Sequence, residues 1–106
     1  MARTNPETAL TRKIVSHLES FGFWCVKLHG SQYQMAGLPD LMCMRGGVTV
    51  FLEVKTETGK TSRVQDCVIA KMHRYGIPAC VVRTPEHALE FASDHCPTTA
   101  EKKLEG

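Results

Sequence analysis

VTVFLEVK, residues 48–55, is the stretch on which the reading of this chain turns. Side chains alternate across a strand, so Val48, Val50, Leu52 and Val54 form one wholly apolar face. Thr49, Phe51, Glu53 and Lys55 share the other. A strand this apolar belongs in the middle of a sheet, and with the sheet covered on both sides Glu53 and Lys55 point into a region where an unpaired charge is costly. On periodicity alone, a solvated face with an incidental Glu–Lys pair accounts for the pattern as well as a functional site does.

Just upstream, DLMCM (40–44) is a second β-rich run, and RGG (45–47) is short enough to join the two as an antiparallel hairpin. Upstream, Asn5 is a suitable N-cap, Pro6 suits a first helical turn, and Leu10, Ile14 and Leu18 repeat at helical spacing, which predicts a helix over 6–21 stopped by Gly22. FWCVKL (23–28) reads as the first strand, and HGSQYQMAGLP (29–39) as a loop. Downstream of a turn at TETG, the spacing of Val64, Val68, Met72 and Tyr75 predicts a helix over 62–75. IPACVV (77–82) is a short strand, PEHALEFAS (85–93) a final helix, and 97–106 a polar tail. The expected fold is α/β, in the order α-β-β-β-α-β-α, with a mixed four-stranded sheet whose last strand is joined through a helical crossover.

At 106 residues the chain suffices for one domain, with a core over about 6–93. Its 13 basic and 11 acidic side chains leave +2, a balance that permits a polyanionic partner without requiring one. Five cysteines without a C-x-x-C pair, and no apolar signal segment ahead of them, fit free thiols in a reducing cytoplasm. Neither Cys25 with His29 nor His95 with Cys96 has a second pair to complete a zinc tetrahedron. The apolar runs fall short of the roughly 20 residues of a membrane helix, so no membrane partner is expected. A P-loop at ETGKTS would need glycine where Val54 stands.

Three acids carry the functional signal. The hairpin folds Asp40 back beside the end of strand 48–55, near Glu53. Asp40 after Pro39 also has a turn explanation, and Glu7, on the sheet-facing stripe of the first helix, has a helix-dipole explanation. Two facing carboxylates repel unless a cation lies between them, and oxygen ligands suit Mg²⁺ or Mn²⁺. Lys55 then supplies a fixed positive charge beside that cation.

GLPD, followed by FLEVK with Glu53 thirteen residues beyond Asp40, then GKTSRVQ, resembles the PD-(D/E)xK nuclease superfamily and its VRR-NUC branch, from Glu7 to about Phe91. The resemblance implies a restriction-endonuclease-like core, a metal held by Asp40, Glu53 and the backbone carbonyl of Val54, and catalytic roles for Glu7, Asp40, Glu53, Lys55 and Gln65. Gln65 has a competing explanation, since Ser62-x-x-Gln65 fits a capping box. Lys27, His29, Lys60 and Arg63 are candidate DNA contacts, as is Lys13, and each is equally a solvated surface charge. Gln32, Tyr33 and Gln34 of the loop are further candidates. The implied activity is a Mg²⁺-dependent DNA endonuclease, with Mn²⁺ able to substitute, that nicks Holliday junctions or flaps as a homodimer. The alternatives are a nuclease on simple duplex or single-stranded DNA and a non-catalytic nucleic-acid-binding module.

Overall fold

The computed structural model describes residues 5–28 and 35–98. In chain order the elements are α1 (Pro6–Glu19), β1 (Trp24–Lys27), β2 (Leu41–Arg45), β3 (Val48–Val54), α2 (Arg63–Arg74), β4 (Ala79–Val82) and α3 (Pro85–His95). They form one sheet in the order β1-β2-β3-β4, antiparallel across the first two pairings and parallel across the last. This is the α/β arrangement with a mixed sheet that the sequence pattern implies, and β3 is central.

The even face of β3 makes the core. Val50, Leu52 and Val54 are fully buried with Leu41 and Cys43 of β2, Ile14 and Leu18 of α1, and Ala88 and Ala92 of α3. The small alanines let α3 lie close to the sheet beside α1, and α2 covers the odd face, where Glu53 points.

Local chemistry sets the element ends. The Asn5 side chain accepts the Glu7 N–H at 2.8 Å and caps α1, fixing Glu7 in its first turn. The β2–β3 turn is Gly46–Gly47, at φ +62° and +81°. Such a two-residue turn needs left-handed backbone twice, and a Cβ at position 46 would also collide with the Pro97 carbonyl. Gly37, at φ +86°, brings the segment before Asp40 onto α2: a Cβ there would meet Val64 Cγ1 at 2.6 Å.

Several boundaries differ from the expected ones. α1 ends at Glu19 with Ser20 as its cap, two residues before the expected limit, and α3 continues to His95. β4 begins at Ala79 rather than Ile77, because Pro78 has no N–H to give the ladder, although its carbonyl accepts the Phe51 N–H at 2.9 Å. Asp40 stands one residue before β2 and Lys55 one beyond β3, so both lie where the strands open out. His29 and the loop residues Gln32, Tyr33 and Gln34 lie outside the described residues, as does the tail from 99 onward. Among the described residues no helix is long and apolar enough to cross a membrane.

Candidate active site

The C-terminal end of β3 gathers the predicted residues. Leu41 pairs with Leu52, so one step further Asp40 falls opposite Glu53 on the odd face of the sheet. Asp40 is held there from two sides: its Oδ2 accepts the Val54 N–H at 2.8 Å, and its carbonyl accepts the Leu28 N–H at 2.8 Å. A side chain hydrogen-bonding to the neighbouring strand in this way extends the ladder past its last backbone pair. It also leaves Oδ1 of Asp40 for another partner.

Glu53 is 1% exposed and is the single buried charged residue of the described chain. Its Oε2 accepts the Gln65 Nε2 donor at 3.1 Å and lies 3.7 Å from Lys55 Nζ. Its Oε1 is buried with no hydrogen-bond partner among the described residues. Burial pushes the carboxyl up to about 8, reinforced by the Asp40 charge and by a hydrogen bond that Glu53 can give Asp40 only while protonated; Lys55 pulls the other way, and Glu7 adds a smaller push. One lysine therefore does not compensate the acids around it. Without a cation, Lys55 only partly offsets the repulsion between Glu53 and Asp40.

Gln65 resolves its two readings by satisfying both. Ser62 Oγ accepts the Gln65 N–H at 3.1 Å and Gln65 Oε1 accepts the Ser62 N–H at 2.8 Å, a complete capping box. The remaining Nε2 reaches Glu53. The cap fixes the amide's orientation, with its oxygen toward the helix end and its nitrogen toward the carboxylate.

Glu7 reaches the same region from α1. With Thr8, Thr11, Lys27, Leu28 and Asp40 it lines a cleft of about 240 Å³. Among the described residues no three acidic, histidine or cysteine side chains converge on one metal position. What the chain offers is a pair, Asp40 and Glu53, with the Val54 carbonyl next to Glu53 in sequence and Glu7 further off. That donor set, all oxygen, with one buried oxygen unpaired and two carboxylates in mutual repulsion, fits a hard divalent cation that keeps several waters.

Of the candidate DNA contacts, Lys27 lies on the cleft beside Asp40. Lys60 and Arg63 are exposed around the start of α2. Lys13 lies elsewhere, in a groove of α1 and α3 with Arg12, His17 and Glu86. Arg83 was not anticipated. Its Nη1 donates to the carbonyls of Thr56 at 2.6 Å and Gly59 at 2.7 Å, gathering the turn that follows Lys55, while the Lys55 N–H donates to the Val82 carbonyl at 3.0 Å. A lone arginine at a strand end carries no sequence signal for this, because its partners lie more than twenty residues away.

The family model for archaeal Holliday junction resolvases (Hjc) matches residues 6–83. A solved structure described as a VRR_NUC domain superposes with a TM-score of 0.71 at 25% sequence identity, over 82% of this chain and 94% of its own. No curated protein matches the sequence. The fold and the relationship implied by GLPD, FLEVK and GKTSRVQ are thus met independently by the matched family and the matched structure.

Proposed function

Since the chain belongs to the archaeal Holliday junction resolvase family and is by that membership a nuclease, we propose that it is a Mg²⁺-dependent endonuclease, able to use Mn²⁺, that nicks branched DNA as a homodimer. The observation that carries this reading is the buried Glu53 with Oε1 unpaired, opposite Asp40 and beside Lys55. Asp40, Glu53 and the Val54 carbonyl would hold the metal. A divalent cation bound there would lower the pKa of a bound water and stabilise charge on a phosphate oxygen.

The chain's own residues supply the rest. Gln65, fixed by the cap, keeps Glu53 aimed and leaves its second oxygen for the metal. Lys55 is 13% exposed, so its ammonium sits in partly dry surroundings, where a fixed charge acts strongly on the developing phosphorane charge and on the attacking water. Glu7, which lines the same cleft as Asp40, would help orient water at the site. Lys27 beside Asp40, and Lys60 and Arg63 exposed near the start of α2, would offer positive charge to flanking phosphates. A small subunit gains a second, symmetry-related site by pairing with a copy of itself, which suits the two strands of a four-way junction. The reducing cytoplasm is where such an enzyme with free thiols would act.

The test is cleavage of a labelled four-way junction beside a matched linear duplex and a single strand, with Mg²⁺, Mn²⁺ or EDTA. Paired nicks in the junction, metal-dependent and reduced at least ~100-fold in Lys55→Ala, are the expected result. Binding without cutting on every substrate would sink the catalytic reading, and equal cutting of duplex would sink the junction preference.

A further inference from the structure

The proposed chemistry uses none of the five cysteines, all of them free. Two of them meet. Cys25 of β1 and Cys43 of β2 are direct partners in the antiparallel register. The Leu28 N–H to Asp40 carbonyl bond identifies 28 and 40 as a hydrogen-bonded pair. Counting back along the alternation, 27 with 41 is non-hydrogen-bonded, 26 with 42 hydrogen-bonded, and 25 with 43 non-hydrogen-bonded. In that class the backbones approach most closely, with Cα atoms about 4.5 Å apart and side chains on one face. Disulfides span Cα separations from about 4.4 Å upward, so this register brings the two cysteines within bridging reach.

We propose that Cys25 and Cys43 form a reversible intrachain disulfide, a redox-modifiable clasp between β1 and β2 three residues from Asp40. The two thiols are suited to different roles. Cys25 is half-buried, and the hydrogen bond from Cys43 holds its thiol below the usual cysteine range; Cys43 is buried, and the same hydrogen bond together with desolvation pushes it up. Cys25 is therefore the attacking thiolate and Cys43 the resolving thiol. With a low-molecular-weight disulfide as oxidant, Cys25 sulfur attacks one sulfur, the oxidant's S–S bond breaks, and one small thiolate leaves. Cys43 then gives up its proton and attacks Cys25 sulfur, and the second small thiolate leaves. The protein's two thiols are oxidised to one disulfide while the oxidant is reduced to two thiols.

The other cysteines lack this arrangement. Cys67 is exposed on α2, and no cysteine is its register partner. Cys96 is buried and donates toward the Val48 carbonyl at 3.5 Å. Cys80, raised by burial, donates to the carbonyl of Val81. Closing the clasp would tie the exposed β1 edge, and with it Lys27, to the strand that leads from Asp40.

The test treats the whole chain with oxidised glutathione at neutral pH, alkylates the remaining thiols and maps peptides by mass. The expected product has lost the mass of two hydrogens, carries a Cys25–Cys43 linked peptide with three alkylated cysteines, and reverts with dithiothreitol. Cys67→Ser, which removes the exposed thiol, should give the same link, and Cys25→Ser should leave Cys43 reduced. Glutathione adducts without a link, or a link through any other pair, would overturn the proposal. None of these outcomes depends on whether the protein cuts DNA.

Discussion

The β2–β3 hairpin carries a buried or half-buried charge at each end, and the two are treated in opposite ways. At the turn end, Arg45 lays its guanidinium over the Phe23 ring at 4.2 Å and donates to the carbonyls of Phe21 at 2.9 Å and Cys96 at 2.8 Å. Its Nε is buried without a partner, yet its charge is spread over fixed dipoles and a ring face, and no carboxylate forms an ion pair with it among the described residues. At the open end, Glu53 has one oxygen held by Gln65 and Lys55, and the other is buried with no partner among the described residues. Arg45 ties α1, β2 and the end of α3 into one block, so its interactions are all within the fold. Glu53 is left short of partners, and the missing interaction is the one a cation would make. Each charge leaves one buried atom unpaired; the difference is that Arg45 is anchored by two carbonyls and a ring, whereas Glu53 lies among like charges.

The comparison breaks most decisively at Glu53. Its folded value, near 8, stands above the ordinary 4.5, so between those limits the folded protein binds more protons than the unfolded chain. Stability of the metal-free protein is therefore greatest below about pH 4.5 as far as this group is concerned, and falls as pH rises through about 8. Glu53→Gln keeps the shape and removes the charge. It should abolish cleavage, remove that pH dependence from thermal melts in EDTA, and raise the metal-free Tm at pH 8.5 by more than about 4 °C. A lower Tm in the variant would mean that the carboxylate is at ease where it sits, and the contrast with Arg45 would disappear.

The opposite result is expected at the turn end. Arg45→Ala removes two charge-assisted hydrogen bonds to carbonyls and the contact with Phe23, and should cost about 3 kcal/mol in denaturant unfolding. Cleavage per folded molecule should stay within about twofold. If the rate fell with Tm unchanged, Arg45 would have a part in the chemistry.

Ser62→Ala gives the smallest and sharpest effect. Losing half of the capping box costs about 1 kcal/mol of stability. It also frees Gln65 to turn away from Glu53, so the cleavage rate should drop several-fold, with the metal concentration for half-maximal activity rising. A stability loss with the rate intact would show the cap and the site to be independent.

The element order, the hairpin and the pairing of Asp40 with Glu53 could be read from local patterns. Period-two alternation in VTVFLEVK, a two-glycine turn and i, i+4 apolar spacing each act over a few residues, and the hairpin converts a sequence separation of thirteen into adjacency. Ser62-x-x-Gln65 was legible as a cap for the same reason. What stayed hidden was non-local. That one glutamine both caps α2 and holds Glu53 depends on α2 docking over the odd face of β3, and the cap alone cannot state that. Arg45 reaching Cys96 across 51 residues, Arg83 gathering the turn after Lys55, and Cys25 lying opposite Cys43 follow from strand order and helix placement. By itself the sequence determined which residues could carry the chemistry, because residue type and short-range periodicity are local properties. Only the tertiary structure decided which oxygen of Glu53 is engaged and which is left open, because that depends on what the rest of the chain packs around it.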